Sequence, residues 1–228
     1  IKYKEPIVVA EIGCNHMGQL DIAYELIDLA KKAGANFAKF QKRNNKELLT
    51  EAEYNAPHPN PINSYGLSYG EHREKLEFNI ETHYKIKQYC EDVGIGYSVS
   101  VWDTTSAKEV VELNPKYIKI PSAMNNHIEL LSYLAENFGG QIHISTGMTY
   151  EKELKILKNL FQEKNKLKEL VIYSCTSGYP IEADEVCLME ISKLKNIFKD
   201  DIHDYAFSGH HKGVAIDVAA YTLGARWV

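Results

Sequence analysis

The stretch of sequence that decides the fold is residues 95–122, IGYSVSVWDTTSAKEVVELNPKYIKIPS. An apolar run of strand length, Ile95–Ser100, is followed by helical spacing over Thr105–Leu113 and by a second apolar run, Tyr117–Ile120. Strand, helix and strand in close succession are typical of a parallel βαβ unit. This stretch therefore indicates an α/β protein.

The same alternation extends over the whole chain. The sequence predicts eight strands: Ile7–Ile12, Asn36–Gln41, Ile95–Ser100, Tyr117–Ile120, Gln141–Ser145, Glu169–Ser174, Asp204–Phe207 and Ala225 onward. Seven helical patterns separate them: Leu20–Lys32, Glu81–Val93, Thr105–Leu113, His127–Glu136, Tyr150–Lys164, Ala183–Ile197 and Gly213–Leu223. Eight βα repeats without a G-x-G-x-x-G after the first strand favour a (β/α)8 TIM barrel over an open doubly wound sheet. We expect residues 1–228 to form one catalytic barrel, truncated within or just after strand 8, with the last helix absent.

Composition and charge exclude several classes of protein. With 228 residues, 44% of them hydrophobic, the chain is long enough for one large domain. A net charge of −5 and the lack of a basic run beyond residues 39–43 argue against nucleic-acid binding. No apolar stretch suits a membrane span or a signal peptide, so we expect a cytoplasmic protein with no membrane partner. Four widely spaced cysteines predict reduced thiols, not disulfides or a zinc site.

One connection is much longer than the others. About forty residues, 42–80, separate the second strand from its helix, whereas βα loops usually have about 2–6 residues. The connection contains three prolines and the run Gly70-Glu71-His72-Arg73. It is either a lid or substrate-binding loop, with His72 and Arg73 as candidate substrate-binding residues, or a surface insertion or oligomer contact.

The end of the first strand carries polar residues. Glu11 lies inside an otherwise apolar strand, and Asn15 and His16 follow it. Because a buried carboxylate is costly without partners, we expect Glu11 to have a chemical role. The alternative is a structural carboxylate that accepts hydrogen bonds from backbone amides.

Two lysines occupy equivalent positions in strands 2 and 4. Lys39 and Lys119 would both point into a barrel, where an ammonium deprived of water gains most from a phosphate or carboxylate. Either lysine could instead extend its ammonium to the rim, or act as a Schiff-base nucleophile. The pair therefore predicts an anion site or, alternatively, an aldolase lysine.

Three further strand ends carry small polar residues or histidine. Residues 145–148 read STGM and residues 174–180 read SCTSGYP, and such segments let backbone N–H groups approach an anion closely. Strand 7 is followed by Ser208, Gly209, His210 and His211. A histidine at a strand end can be a metal ligand, a general base or a neighbour of a helix cap. Strand alternation allows at most one of the two histidines to point inward, if the strand continues that far.

Together these segments resemble the sialic acid synthase family over essentially the whole chain. The segments EIGCNHMG (11–18), AKFQ (38–41), KIPS (119–122), STGM (145–148) and CTSGYP (175–180) are similar to its motifs E-I-G-x-N-H-x-G, K-x-Q, K-I-x-S, S-T-G-M and C-T-x-x-Y-P. There are two departures: S-D-H-T is replaced by Ser208-Gly209-His210-His211, and Ser177 replaces an asparagine.

The resemblance implies an enzyme that condenses phosphoenolpyruvate with an N-acyl hexosamine, such as an N-acylmannosamine, to a nine-carbon 2-keto sugar acid and phosphate. Glu11, Lys39 and Lys119 would be catalytic, with Glu11 facing the sugar or water. His210 would be one of two histidines that hold Mn²⁺ or Mg²⁺, the second lying beyond Val228. A homodimer and an antifreeze-like domain after this chain are further expectations. The candidate substrate-binding residues are Asn15, Gln41, His72, Arg73, Ser122, Ser145, Ser177, Tyr179 and Ser208.

Several other functions fit the same residues. Synthases of legionaminic, pseudaminic or deaminated sialic acid would share the phosphoenolpyruvate half of the site and differ in the sugar. A Schiff-base aldolase would use Lys39 or Lys119. A catalytically silent barrel that binds a sugar or a protein is the alternative outside enzymes.

Overall fold

The computed structural model describes residues 3–228 of the chain. These residues form two compact units. The N-terminal unit is Ala10–Pro115, and the C-terminal unit combines Lys116–Val228 with the described residues up to Val9. Residues 3–228 contain seven β-strands and ten α-helices, joined by loops and short 3₁₀ turns. Strands and helices alternate through most of both units, which confirms the predicted α/β class.

The N-terminal unit is built around three neighbouring strands in the order β1, β2, β3. β2 and β3 run parallel, with Lys39 opposite Ser98 and Gln41 opposite Ser100. Its elements in chain order are β1 (Val9–Gly13), α1 (Leu20–Lys32), β2 (Phe37–Lys42), α2 (Asn45–Leu48), α3 (Glu51–Asn55), α4 (Tyr69–Leu76), α5 (Ile80–Val93), β3 (Gly96–Val101) and α6 (Thr104–Leu113).

Local sequence explains where the helices of this unit begin and end. The Asn79 side chain accepts a hydrogen bond from the Thr82 N–H at 3.0 Å and caps the start of α5. The helix ends at Gly94, whose φ of 74° lies in the left-handed region that glycine adopts without steric cost. Asp103 caps α6 in the same way through the Ser106 N–H at 2.6 Å. These caps fix the helices that cover β2 and β3.

The long connection between β2 and α5 is mostly helical. It contains α2, α3, a 3₁₀ turn at Pro61–Asn63 and α4, each preceded by a residue whose side chain caps it. The Tyr69 N–H donates to the Ala56 carbonyl at 2.7 Å, and a Cβ on Gly70 would lie 2.3 Å from the Tyr54 ring. The connection is therefore packed against itself.

The C-terminal unit contains four parallel strands in the order β4, β5, β6, β7. Opposite one another lie Lys119 and His143, Ser145 and Tyr173, and Cys175 and Ser208. Its elements in chain order are β4 (Tyr117–Ile120), α7 (Ile128–Asn137), β5 (Gln141–Ser145), α8 (Glu151–Glu163), β6 (Leu170–Cys175), α9 (Glu190–Phe198), β7 (Asp204–Ser208) and α10 (Ala215–Thr222).

The predicted eighth strand is wrong as a regular strand. Beyond Ala225 the structure has only isolated bridges, from Trp227 to Ile7 and to Ala206. Backbone hydrogen bonds still connect residues 226–228 to the segment around Ile7 and to β7. The Ile7 N–H donates to the Arg226 carbonyl at 2.8 Å, and the Phe207 N–H donates to the Trp227 carbonyl at 2.9 Å. Too few residues take part for a strand.

The predicted helix over residues 183–197 is also interrupted. The structure has a 3₁₀ turn at Ala183–Glu185 and starts α9 only at Glu190, because residues 186–189 leave the helical path. Apolar residues of α9 fill the positions against β6 and β7 that the helical spacing indicated, among them Ile191 and Leu194. The described helices include none that is both long and apolar enough to cross a bilayer.

Candidate active site

The three neighbouring strands of the N-terminal unit bring together a group of polar side chains, here called the N-terminal cluster: Glu11, Lys39, Gln41 and Ser100. Only 7% of Lys39 is exposed. Its ammonium forms an ion pair with the Glu11 carboxylate and donates to Ser100 Oγ at 3.3 Å. Gln41 Nε2 lies 3.5 Å from Glu11 Oε1, at the limit of a hydrogen bond. The buried ammonium is therefore already paired with a carboxylate.

The expected burial of Glu11 is wrong. Its side chain is 41% exposed although Glu11 is the middle residue of β1, and it forms an ion pair with the buried Lys39. A glycine makes this arrangement possible. At Gly13, where φ is +56°, a Cβ would lie 3.2 Å from Glu11 Oε1 and 3.3 Å from Gln41 Nε2. A side chain at this position would crowd the carboxylate.

The two polar residues after β1 have different environments. Asn15 is exposed in the turn that follows the strand. His16 is 2% exposed, stacks on Phe78 with ring centroids 4.0 Å apart, and accepts the Gly18 N–H at Nδ1. Burial lowers the pKa of His16 to about 4, so this imidazole is neutral near pH 7. His16 therefore has a packing role.

The C-terminal unit holds a second group at its strand ends, here called the C-terminal cluster: Lys119, Ser122, Ser145, Gly147 and Ser177. Lys119 Nζ donates to Ser145 Oγ at 2.6 Å and lies 5.0 Å from the centre of the Tyr173 ring. Burial lowers the pKa of Lys119 to about 8. Within residues 3–228, no carboxylate forms an ion pair with this ammonium.

The other members of the C-terminal cluster meet at Gly147. Its N–H donates to Ser122 Oγ at 3.1 Å. A Cβ at this position would lie 2.7 Å from Ser122 Oγ and 2.4 Å from Ser177 Oγ. The ends of β4, β5 and β6 thus approach one another where no side chain fits. An ammonium beside several hydroxyl groups suits a small anion.

Tyr179 and His210 lie next to each other at the same ends. Their ring centroids are 3.9 Å apart, and the Ile181 N–H donates to the His210 carbonyl at 3.2 Å. β7 ends at Ser208, so strand alternation does not decide the direction of the two histidines. His211 Nε2 contacts Asp217 Oδ2 at 3.1 Å, whereas His210 is exposed.

A metal centre is incomplete in this part of the chain. Among residues 3–228, no three His, Cys, Asp or Glu side chains come together as potential ligands. A divalent ion needs several ligands, and His210 alone supplies one. The described residues therefore do not by themselves fit the predicted metal ion.

His72 and Arg73 lie on α4, in the long connection. His72 Nδ1 accepts the Tyr65 N–H at 3.2 Å, and its ring centroid is 4.2 Å from that of His58. Arg73 Nη1 donates to Tyr69 Oη at 3.2 Å. Both side chains thus help to hold the connection together, and their predicted role in substrate binding stays a prediction.

Three residues near the lysines were missed by the sequence reasoning. Ser100 carries a usable signal, since it is polar within an apolar strand and occupies the second position after Ser98 on the same face. Tyr173 has the pattern of a core aromatic residue. Asn125 follows a 3₁₀ turn after β4, and nothing in the local sequence distinguishes it from an ordinary loop asparagine.

The fold and these clusters define a class. The chain is a parallel α/β protein with ammonium and hydroxyl groups at the carboxyl ends of its strands, where such folds bind their ligands. A family model described as the NeuB family matches residues 26–228. The chain belongs to the NeuB family, which confirms the resemblance seen in the motifs.

Comparisons with individual proteins agree with this family assignment. The chain is 36% identical to N-acetylneuraminate-9-phosphate synthase of Homo sapiens over 225 residues, covering 96% of this chain and 59% of the relative. It is 30% identical to N,N'-diacetyllegionaminic acid synthase of Campylobacter jejuni, covering 97% and 66%. The chain thus spans about three fifths of the length of the N-acetylneuraminate-9-phosphate synthases that it matches.

Solved structures support the fold. The N-acetylneuraminic acid synthetase of Leptospira borgpetersenii matches with a TM-score of 0.83 at 25% identity, covering 98% of this chain and 72% of that one. A truncated 3-deoxy-D-arabino-heptulosonate 7-phosphate synthase of Thermotoga maritima matches with a TM-score of 0.68 at 9% identity, covering 98% and 73%. The second similarity shows a shared fold alone.

Proposed function

We propose that this chain catalyses the condensation of phosphoenolpyruvate with an N-acylmannosamine-type aldose to a nine-carbon 2-keto sugar acid. The observation that carries the proposal is the C-terminal cluster, in which the Lys119 ammonium lies beside the Ser145 hydroxyl without a carboxylate partner. The printed names of the relatives, synthases of N-acetylneuraminate 9-phosphate and diacetyllegionaminic acid, support a sugar-acid product.

The C-terminal cluster binds an anionic group of phosphoenolpyruvate in this proposal. A buried ammonium without a counter-charge gains a strong charge-assisted hydrogen bond when a phosphate or carboxylate arrives. Ser122 and Ser177 add hydroxyl groups around Gly147, where a side chain would block the approach. Tyr179 and Ser208, at the ends of β6 and β7, are further candidate contacts of the same ligand.

The reaction forms one carbon–carbon bond and replaces the C2–O bond to phosphate with a C2–O bond to an oxygen from water. C3 of phosphoenolpyruvate attacks the aldehyde carbon of the open-chain sugar, and the aldehyde oxygen becomes a hydroxyl group with a proton from water. The hydroxide equivalent of that water adds at C2, and the tetrahedral intermediate expels inorganic phosphate by C–O cleavage, with the C2 hydroxyl proton leaving on the phosphate and a 2-keto acid remaining. Glu11 would orient the water or a sugar hydroxyl, and Lys39 would hold a substrate anion.

Several finer predictions belong to the same proposal. We propose that the chain forms a closed (β/α)8 barrel, which the hydrogen bonds of residues 226–228 to Ile7 and to Phe207 support. His210 would contribute to a site for Mn²⁺ or Mg²⁺ whose other ligands come from outside the described residues. A homodimer, a cytoplasmic location and the assignment of Asn15, Gln41, His72 and Arg73 to substrate binding stay predictions.

A Schiff-base aldolase is the second candidate function. The observation in its favour is the pKa of Lys119, which burial lowers to about 8, because a lysine becomes nucleophilic when it is deprotonated. Borohydride trapping with pyruvate distinguishes the two functions. Covalent labelling of Lys119 would support the aldolase, and no labelling is expected for the synthase.

The proposed function is tested by an assay of phosphate release. The protein is incubated with phosphoenolpyruvate and Mn²⁺ or Mg²⁺ and, in turn, with N-acetylmannosamine, its 6-phosphate, mannose and the precursors of legionaminic and pseudaminic acid. We expect phosphate release that depends on one of these sugars and yields a 2-keto acid. Binding of phosphoenolpyruvate without release for any sugar would favour the silent barrel, and no binding at all would contradict the proposal.

A further inference from the structure

Asn125 holds the segment that follows β5. The residue is 7% exposed and lies directly after the 3₁₀ turn Ser122–Met124. Its side-chain Nδ2 donates to the Ser145 carbonyl at 3.0 Å and to the Gly147 carbonyl at 3.1 Å. It also lies 2.6 Å from Thr149 Oγ1, which itself donates to the Gly147 carbonyl at 3.1 Å. One amide group thus contacts three positions of a five-residue segment.

The segment needs such support because it has no regular structure of its own. β5 ends at Ser145 and α8 begins at Glu151. Met148, with a φ of 59°, adopts the left-handed conformation that is unfavourable for residues with a Cβ. Backbone carbonyls in such a segment require donors from elsewhere in the molecule when they are buried. Asn125 is the donor for two of them.

The two carbonyls that Asn125 contacts belong to residues of the C-terminal cluster. Ser145 carries the hydroxyl that accepts from Lys119 Nζ, and the Gly147 N–H donates to Ser122 Oγ. A Cβ at Gly147 would lie 2.7 Å from Ser122 Oγ and 2.4 Å from Ser177 Oγ, so both serines pack closely against this backbone. The position of the backbone at residues 145–147 therefore sets the geometry around Lys119.

We propose that Asn125 is a positioning residue for the C-terminal cluster: its side-chain amide holds the backbone of residues 145–147 so that the cluster fits an anionic group of phosphoenolpyruvate. This inference rests on the proposed function. It assigns to Asn125 no contact with the substrate. A neutral amide is required, because a carboxylate of the same size would face two carbonyl oxygens and a hydroxyl without an N–H to donate.

Asn125→Asp tests the inference with almost no change in shape. We expect the KM for phosphoenolpyruvate to rise at least about tenfold, since small displacements of binding groups have large effects, while kcat and the KM for the sugar change much less. The rise should shrink as the pH is lowered, because the carboxyl group that this substitution introduces regains one donor when it is protonated. A purely structural role would change the amount of folded protein without this split or this pH dependence.

Asn126→Asp is the matched control. Asn126 is the next residue along the chain, it is exposed, and its substitution adds the same negative charge. The KM for phosphoenolpyruvate of this variant should stay near that of the wild type. Equal KM values for Asn125→Asp and Asn126→Asp would overturn the inference.

Calorimetric titration of the wild type with phosphoenolpyruvate separates this inference from the proposed function. No binding to the wild type would refute the proposed function, whereas wild-type binding that Asn125→Asp retains in full would refute the role of Asn125 alone. If Asn125→Asp fails to fold, Thr149→Val replaces it, since it removes only the hydroxyl that links Asn125 to Gly147. A rise of a few fold in the KM for phosphoenolpyruvate is then expected, and an unchanged KM would overturn the inference.

Discussion

The two compact units of this chain each bury a lysine within a parallel strand, and the two lysines have different partners. Lys39 and Lys119 have the same exposed fraction, 7%. Lys39 forms an ion pair with Glu11, whereas Lys119 contacts the Ser145 hydroxyl and the face of Tyr173. Equal burial therefore does not give equal chemistry. The charge of the neighbouring groups decides what each ammonium can bind.

The difference has a direct consequence for anion binding. In the N-terminal cluster an incoming anion competes with Glu11 for Lys39, and part of the attraction is cancelled by the carboxylate. In the C-terminal cluster an anion would be the first counter-charge for Lys119, whose pKa burial has lowered to about 8. We therefore expect substitutions in the C-terminal cluster to affect phosphoenolpyruvate binding more than substitutions in the N-terminal cluster.

The largest effect is expected for Lys119→Met. Loss of a charge-assisted hydrogen bond of roughly 1.5–3 kcal/mol should raise the KM for phosphoenolpyruvate about 10- to 150-fold. The fold should be retained, because the substitution removes a desolvated charge and keeps an unbranched side chain. Lys116→Met is the control, since Lys116 is exposed and lies three residues earlier. Unchanged kinetics of Lys119→Met would remove this lysine from the site.

The pH dependence of the wild type tests the role of the Lys119 charge in phosphoenolpyruvate binding without a substitution. Above a pKa of about 8 the Lys119 ammonium loses its proton, and the KM for phosphoenolpyruvate should rise about tenfold for each further pH unit. Below that pH, Lys119 is charged and the KM should not change through this group. Lys119→Met should lack the alkaline rise. An identical rise in this variant would assign the titration to another residue.

A smaller effect is expected for Gly147→Ala, which adds one methyl group to the C-terminal cluster. The new Cβ would lie 2.4 Å from Ser177 Oγ and 2.7 Å from Ser122 Oγ, so both serines must move. We expect the KM for phosphoenolpyruvate to rise about tenfold, as displaced contacts reduce affinity. Gly139→Ala is the matched control, because its Cβ would meet no atom within 4 Å. Similar kinetics for the two variants would contradict the tight fit at Gly147.

The smallest effect is expected in the N-terminal cluster, where the ion pair of Glu11 and Lys39 should show in stability. A double-mutant cycle of Glu11→Gln and Lys39→Met, followed by urea unfolding, should give a coupling energy of about 1 kcal/mol or less. The value is modest because the Glu11 side chain is 41% exposed and water screens the pair. A coupling of zero would show that Lys39 gains nothing from Glu11, and the contrast between the two lysines would then disappear.

Much of the fold was predictable because it depends on local patterns. The bounds of α1, β4 and β5 agree with the predicted segments residue for residue, since hydrophobic periodicity is a local signal. The predicted eighth strand is wrong because its pairing is not a local property. Residues 226–228 take their hydrogen bonds from Ile7 and from β7, so the number of paired residues depends on distant segments.

The candidate site likewise has one part that the sequence predicts and another part that only the tertiary structure decides. The motifs identified the lysines, the serines of the C-terminal cluster and the family, because residue type and order along the chain are properties of the sequence. Only the tertiary structure decided that Glu11 is exposed and pairs with Lys39, that Gly147 lies between Ser122 and Ser177, and that Asn125 holds the segment after β5. Each of these facts is a contact between residues about 20 to 30 positions apart. A sequence pattern of period 2 or 3.6 contains no information about such pairs, because their distance is set by how separate strands and loops pack.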